Sequence, residues 1–130
     1  MEPFCSPWGE IQRCEVLTPH VFSVSTASHG GIMASSRTAR TIFSKDALKC
    51  AFLDGSFYCF EEDCAAPVAL RELLDRGLYS APINEYWKSG EYEKCINNSI
   101  QRYCPDYWQA RLDGKTQPAV QANRAKEAER

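Results

Sequence analysis

The hydrophobic residues change their spacing midway along this 130-residue chain, and that change limits the fold more than any other feature. Up to about Ser35 they repeat every second residue. In HVFSVSTA, Val21, Ser23 and Ser25 fall on one side and Phe22, Val24 and Thr26 on the other, the period of a β-strand. EIQRCEVL before it alternates as well, and Thr18-Pro19 marks a turn between the two. From Ala66 onward the apolar positions recur at helical spacing: Ala66, Leu70, Leu73 and Leu74, then Tyr92, Ile96, Ile100 and Tyr103. Strands first and helices afterwards predict an α+β domain, with a small antiparallel sheet of three to four strands packed against two to three helices. In that packing Val24, Ile32 and Phe57 meet Leu70, Leu73, Ile96 and Ile100.

The punctuation between these runs fills in the order. GGIMAS reads as a third strand. Ser44 can cap a short helix in SKDALKCAF. Asp54-Gly55 is a turn, and SFYCF is aromatic and β-prone. EEDCAAPVALRELLDRG reads as a helix whose acidic residues crowd the first turn, with Pro67 near its start and Gly77 as its stop. APINEYWKSGEYEKCINNSIQRYC reads as one helix interrupted near Ser89-Gly90, or as two, ended by Cys104-Pro105. DYWQARL adds a last turn. Residues 1–113 then form one domain, and 114–130 form a polar tail with no apolar face.

Composition excludes several classes. Hydrophobic residues make up 44% and charged residues 25%, which suits a soluble domain with one core. The net charge of -2 argues against direct binding of nucleic acid, which needs a basic excess to displace counterions. No apolar run approaches a membrane span. MEPFCSPWGE has no basic region followed by an apolar run, so a cytoplasmic location is expected. The seven cysteines are odd in number and do not read as a disulfide framework; most of them read as small buried apolar residues. No metal site is expected. Cys59 and Cys64 lie on different elements, and Cys95 and Cys104 lie too far apart along one helix to share an ion. No cofactor is expected either, because neither a P-loop nor a G-x-G-x-x-G fingerprint occurs.

The stretch with most chemical potential is STASHGGIM, Ser25 to Met33. Histidine as a residue type changes charge near neutral pH, so His29 can serve as a general base. Cys64 or Ser28 could be the nucleophile, with Glu61 or Asp63 orienting the ring and the glycines freeing amides for an oxyanion. This is the enzymatic reading: a hydrolase or transferase built on His29, Cys64 and Glu61. The simpler reading makes His29-Gly30-Gly31 a tight turn whose glycines supply positive φ, with His29 tied to the acidic helix start. The simpler reading is preferred, since residue types alone give no geometry.

Four strings in order, PWGEIQ, STASHGGI, FYCFEEDCA and INNSIQRYCPDYW, resemble the DUF7007 type of domain found in proteins of phages, plasmids and other mobile elements. The resemblance spans about residues 6 to 109. Where that family has Tyr-Glu-Glu-Asp-Cys, this chain has Phe60-Glu61-Glu62-Asp63-Cys64, so no tyrosine hydroxyl at that position is needed. The resemblance implies mobile-element biology and no established reaction. With the aromatic content, it leads to the expected function. That is a small phage- or plasmid-type protein acting by protein–protein binding, as an inhibitor of a host defence system of the anti-CRISPR or antirestriction type. Glu61, Glu62 and Asp63, with Trp87, Tyr107 and Trp108, are the expected binding residues. The expected partner is a host defence protein or ribonucleoprotein complex in the host cytoplasm. A homodimer is compatible with the same aromatic set.

Overall fold

A computed structural model of the chain describes residues 2–117. It is α+β, with one antiparallel sheet of five strands in the order β1-β2-β3-β5-β4. The strands are β1 (Arg13–Thr18), β2 (Val21–Ser25), β3 (Gly30–Ser35), β4 (Phe52–Asp54) and β5 (Phe57–Glu61). The helices are α1 (Ser36–Ile42), α2 (Lys45–Leu48), α3 (Ala66–Asp75), α4 (Glu91–Tyr103) and α5 (Pro105–Leu112). The sheet thus has one strand more than expected. β4 is three residues long with every residue exposed, too short to show an alternation.

The predicted meander holds at the start. Thr18-Pro19-His20 turns the chain, with His20 at φ 68. β2 pairs β1 on one side and β3 on the other. The two faces of β2 divide as its alternation predicts. Val21, with Ile32, Ala34 and Phe60, packs against the helices. Phe22 and Val24, with Met33 and Cys59, form a second cluster on the other face. Val24 and Phe57 therefore do not meet Leu70 or Ile96. They face the segment before β1, where Trp8 and Ile11 cover them. Alternation cannot separate a buried face from an exposed one when both faces are apolar.

The helices depart from expectation mostly at their ends. Ser44 caps α2 through the Ala47 amide, as its position predicts. Gly77, at φ 69, stops α3, with the Leu78 amide bonded back to the Leu73 carbonyl. Pro67 occupies the first turn of α3, where its missing N–H costs nothing. Glu61 to Asp63, however, lie ahead of that helix. Glu61 ends β5 and no acidic residue stands in the first turn of α3. The stretch before Gly90 is not helical. Asn84 instead accepts from the Tyr86 and Trp87 amides through its side-chain oxygen, an Asx turn that competes with helix. α4 starts after Gly90 at φ 87, and Ile96 and Ile100 are its buried residues. α1 has no counterpart in the expected elements, and DYWQARL forms a full helix rather than a last turn.

The described part of the expected tail packs on the body. The Lys115 amide bonds the Ala110 carbonyl, and buried Thr116 offers its carbonyl to Arg76. The remainder of that tail, 118–130, lies outside the described residues. Among the described residues no helix is long and apolar enough to cross a membrane.

Candidate functional site

The residues singled out by sequence meet at the end of the sheet where β3 and β5 lie side by side. Gly31 pairs with Glu61, and the Glu62 amide donates to the Gly30 carbonyl at 3.0 Å. This places the turn before β3 beside the turn after β5. The β2–β3 turn is Thr26 to His29. The Thr26 amide donates to the His29 carbonyl at 2.8 Å, and the Thr26 hydroxyl donates to the same carbonyl at 2.6 Å.

The glycine pair has a different role from the one expected. Neither Gly30 nor Gly31 has positive φ, and both lie inside β3. They are required by close approach. A Cβ on Gly31 would run into the Phe60 carbonyl and sit 2.6 Å from the Trp8 ring, and one on Gly30 would sit 2.5 Å from the Val24 carbonyl and 3.1 Å from the Glu62 carboxylate. Real contacts are not that short, so hydrogen at both positions lets the carbonyls of the flanking strands approach, and at Gly31 it also lets the tryptophan lie on the strand. Trp8 also meets Phe52 edge to face, with ring centroids 6.4 Å apart.

These contacts enclose a small cavity of about 160 Å³, lined by Trp8, His29, Gly30, Glu61, Glu62 and Asp63. His29 and the three carboxylates are thus neighbours. His29 is exposed, and among the described residues its ring has no hydrogen bond to a carboxylate. Glu61, Glu62 and Asp63 are exposed too. No ion pair among the described residues involves them. No group of three or more His, Cys, Asp or Glu among the described residues could hold a metal ion.

Cys64 lies apart from His29. It opens with Cys50 and Cys104 onto another cavity, between α2 and α5. The Cys64 amide donates to the Glu61 carbonyl at 3.3 Å and its thiol to the Glu61 carboxylate at 3.9 Å, while its carbonyl accepts from the Cys104 thiol at 3.4 Å. Burial, and then the Glu61 carboxylate, push the Cys64 thiol above its ordinary range. A nucleophilic thiol needs the reverse, a cationic neighbour that favours thiolate. Of the three residues His29, Cys64 and Glu61, Glu61 touches Cys64, but His29 lines a cavity that Cys64 does not line.

The four motif strings, arranged in this way, match over residues 1–130 the family model described as Domain of unknown function (DUF7007). The chain belongs to the DUF7007 family. No curated protein and no solved structure matches it.

The aromatic residues expected at a binding surface of this DUF7007 domain are dispersed. Tyr107 is 2% exposed and its hydroxyl donates to Glu72 at 2.8 Å, so it is a core residue. Trp108 is half-buried and lies under the Arg111 guanidinium, 5.3 Å from the ring centroid. Trp87 is half-buried and meets Tyr92 edge to face at 5.2 Å.

Two polar assemblies lie outside the site that the sequence predicts. The first is centred on Glu72, which is fully buried. Its carboxylate accepts from the Ser44 amide at 2.8 Å, the Ser44 hydroxyl at 2.6 Å and the Tyr107 hydroxyl, with Arg76 at 3.5 Å. Beside it Arg71 reaches Asp75, Asn97 and Glu93, and Arg111 reaches Asp75. A signal did exist: Glu72 falls four residues after Val68 and three after Ala69, on the apolar stripe of α3. The second is a cleft that shares Glu62 with the motif cavity and runs over β2 to Tyr79 and Tyr92.

Proposed function

We propose that this DUF7007 protein works by binding another protein, with the corner at Glu61, Glu62 and Asp63 as its contact surface. The target in this reading is a host defence protein or ribonucleoprotein complex. The acidic corner occupies the basic groove that such a complex keeps for nucleic acid, in the manner of an anti-CRISPR or antirestriction inhibitor in the host cytoplasm. The mobile-element context implied by the motif strings supports the choice of target; the charge supports the choice of a basic surface.

One observation carries the reading. The three carboxylates stand on a frame fixed from both sides, by the Gly31–Glu61 pairing and by the Cys64 and Ala65 amides on the Glu61 carbonyl. They are exposed and make no ion pair among the described residues. A charged group held in place binds without the ordering cost of a loose one. The same sign repels a phosphate backbone, which argues for a protein partner.

The test is co-purification from cells carrying phage or plasmid, with the native protein beside Glu61→Gln/Glu62→Gln/Asp63→Asn. The native protein should retain one nuclease-type partner in equal amount and release it as salt rises. The variant should melt at the same temperature and lose the partner. A variant that keeps the partner would remove the acidic corner from the function.

A further inference from the structure

The helix-facing side of β2 changes character along its length. Val21 is fully buried in the core, Ser23 is half-buried and Ser25 is exposed. β1 behaves alike, with Leu17 against the core and Glu15 exposed. α3 packs over β3 and β5, and a cleft of about 340 Å³ opens where the sheet extends beyond it.

This cleft has an apolar floor and a polar rim of one sign. Leu17, Ile32 and Leu70 line it, as do the Tyr79 and Tyr92 rings. Glu15 reaches it from β1 and Glu62 from the turn after β5, with Ser23 and Ser25 between them. No Lys, Arg or His lines it. Among the described residues, Glu15, Ser23, Ser25 and Glu62 have no side-chain hydrogen bond or ion pair. Glu15, Ser25 and Glu62 are exposed and Ser23 is half-buried, so two carboxylates and two hydroxyls converge on one cavity with their bonding capacity open to a ligand.

The geometry points to a binding site for an arginine side chain presented by the partner protein. The cleft is at the small end of ligand pockets, suited to one long side chain. Its carboxylates supply the charge, and its hydroxyls accept further bonds from a guanidinium with five donors. The tyrosine rings suit the flat face of that group, and the floor suits its methylene stem. Lysine offers three donors and no plane. The inference rests on the reading above that the partner is basic, and it names the group that the partner inserts.

The experiment titrates N-acetyl-arginine amide into the full chain and follows the backbone amide resonances of Ser23, Ser25, Leu70 and Tyr92. Expected are saturable shifts with a dissociation constant on the order of 1–10 mM, the range for a single charged side chain. N-acetyl-citrulline amide, of the same shape without the charge, should leave these resonances unmoved. Glu15→Gln/Glu62→Gln should weaken arginine binding about tenfold or more with the amide spectrum otherwise retained. Asp54→Asn, on the far edge strand, should leave it unchanged. Shifts that never saturate, equal binding of citrulline, or undiminished binding by the double variant would overturn the site. Equal binding of N-acetyl-lysine amide would overturn the arginine assignment. Failure here with co-purification intact sinks the cleft alone; saturable binding here with co-purification lost sinks the defence target alone.

Discussion

Two glutamates ten positions apart, Glu62 and Glu72, show how one short stretch of chain makes both scaffold and surface. Glu72 is fully buried and surrounded by the Ser44 amide and hydroxyl, the Tyr107 hydroxyl and Arg76. It joins α3 to the start of α2 and to α5. Glu62 stands at the rim of two cavities and has no hydrogen-bond partner for its carboxylate among the described residues. The difference separates a carboxylate whose bonding capacity is consumed by the fold from one left available to a ligand. The same division holds for the other acids. Asp75 and Glu93 are engaged by Arg71 and Arg111, whereas among the described residues Glu15 and Asp63 are not paired and Glu61 meets only the Cys64 thiol.

The contrast breaks most sharply under substitution of the two residues themselves. Glu72→Ala should destabilise the protein by about 3–5 kcal/mol, because Arg76 and the Tyr107 and Ser44 donors lose a buried partner. Glu62→Ala should stay within about 0.5 kcal/mol of the native protein. Urea unfolding of both variants measures the gap, and equal losses would erase the distinction. Next in size is Gly31→Ala, whose new Cβ runs into the Phe60 carbonyl and meets the Trp8 ring at 2.6 Å. A cost of about 1–3 kcal/mol is expected, with a changed near-ultraviolet circular dichroism signal as Trp8 is displaced.

A smaller effect sharpens the scaffold side. Burial alone would raise the Asp75 carboxyl, but the hydrogen bond from Arg111 and the charge of Arg71 outweigh it and hold the group below its ordinary 3.8. A carboxyl lowered by folding stabilises the folded state fully above its unfolded value. That contribution is lost as pH falls from about 4 through the lowered value. Asp75→Asn should therefore flatten part of the acid limb of a stability–pH curve, read from melting temperatures. An unchanged acid limb would show that the Arg111 pair contributes nothing.

The smallest effect concerns thiol reactivity. Cys5 and Cys95 are exposed and should react first with iodoacetamide. Burial pushes Cys50 and Cys59 up to about 12, so these should react last. Burial and Glu61 raise Cys64 as well, which should place it behind the exposed pair. A Cys64 that outpaced every other thiol would restore the enzymatic reading built on it.

The fold class and the strand-to-helix order were legible in the spacing of apolar residues, and so was the meeting of STASHGG with the acidic string. Local chemistry read well where a single residue decides it, as at Ser44, Pro67 and Gly77. The sheet's size did not, because β4 is three exposed residues whose pairing comes entirely from β5. The role of Gly30 and Gly31 is not legible because a glycine that admits a neighbouring ring or carbonyl looks, in sequence, like one that makes a turn. The burial of Tyr107 is not legible, since aromatic content does not reveal which hydroxyl has a buried acceptor. Cys64 follows the acidic string directly, yet the turn into α3 sends its thiol toward Cys50 and Cys104.

Trp8 seated on Gly31 has a consequence for assembly. With helices over one side of β3 and that indole over the other, the central strands have no bare flank on which a second sheet could be laid. Copies of this chain that joined through their sheets would have to do so rim to rim, along the outer margin of β1 or the short β4, or else lift the indole from its seat.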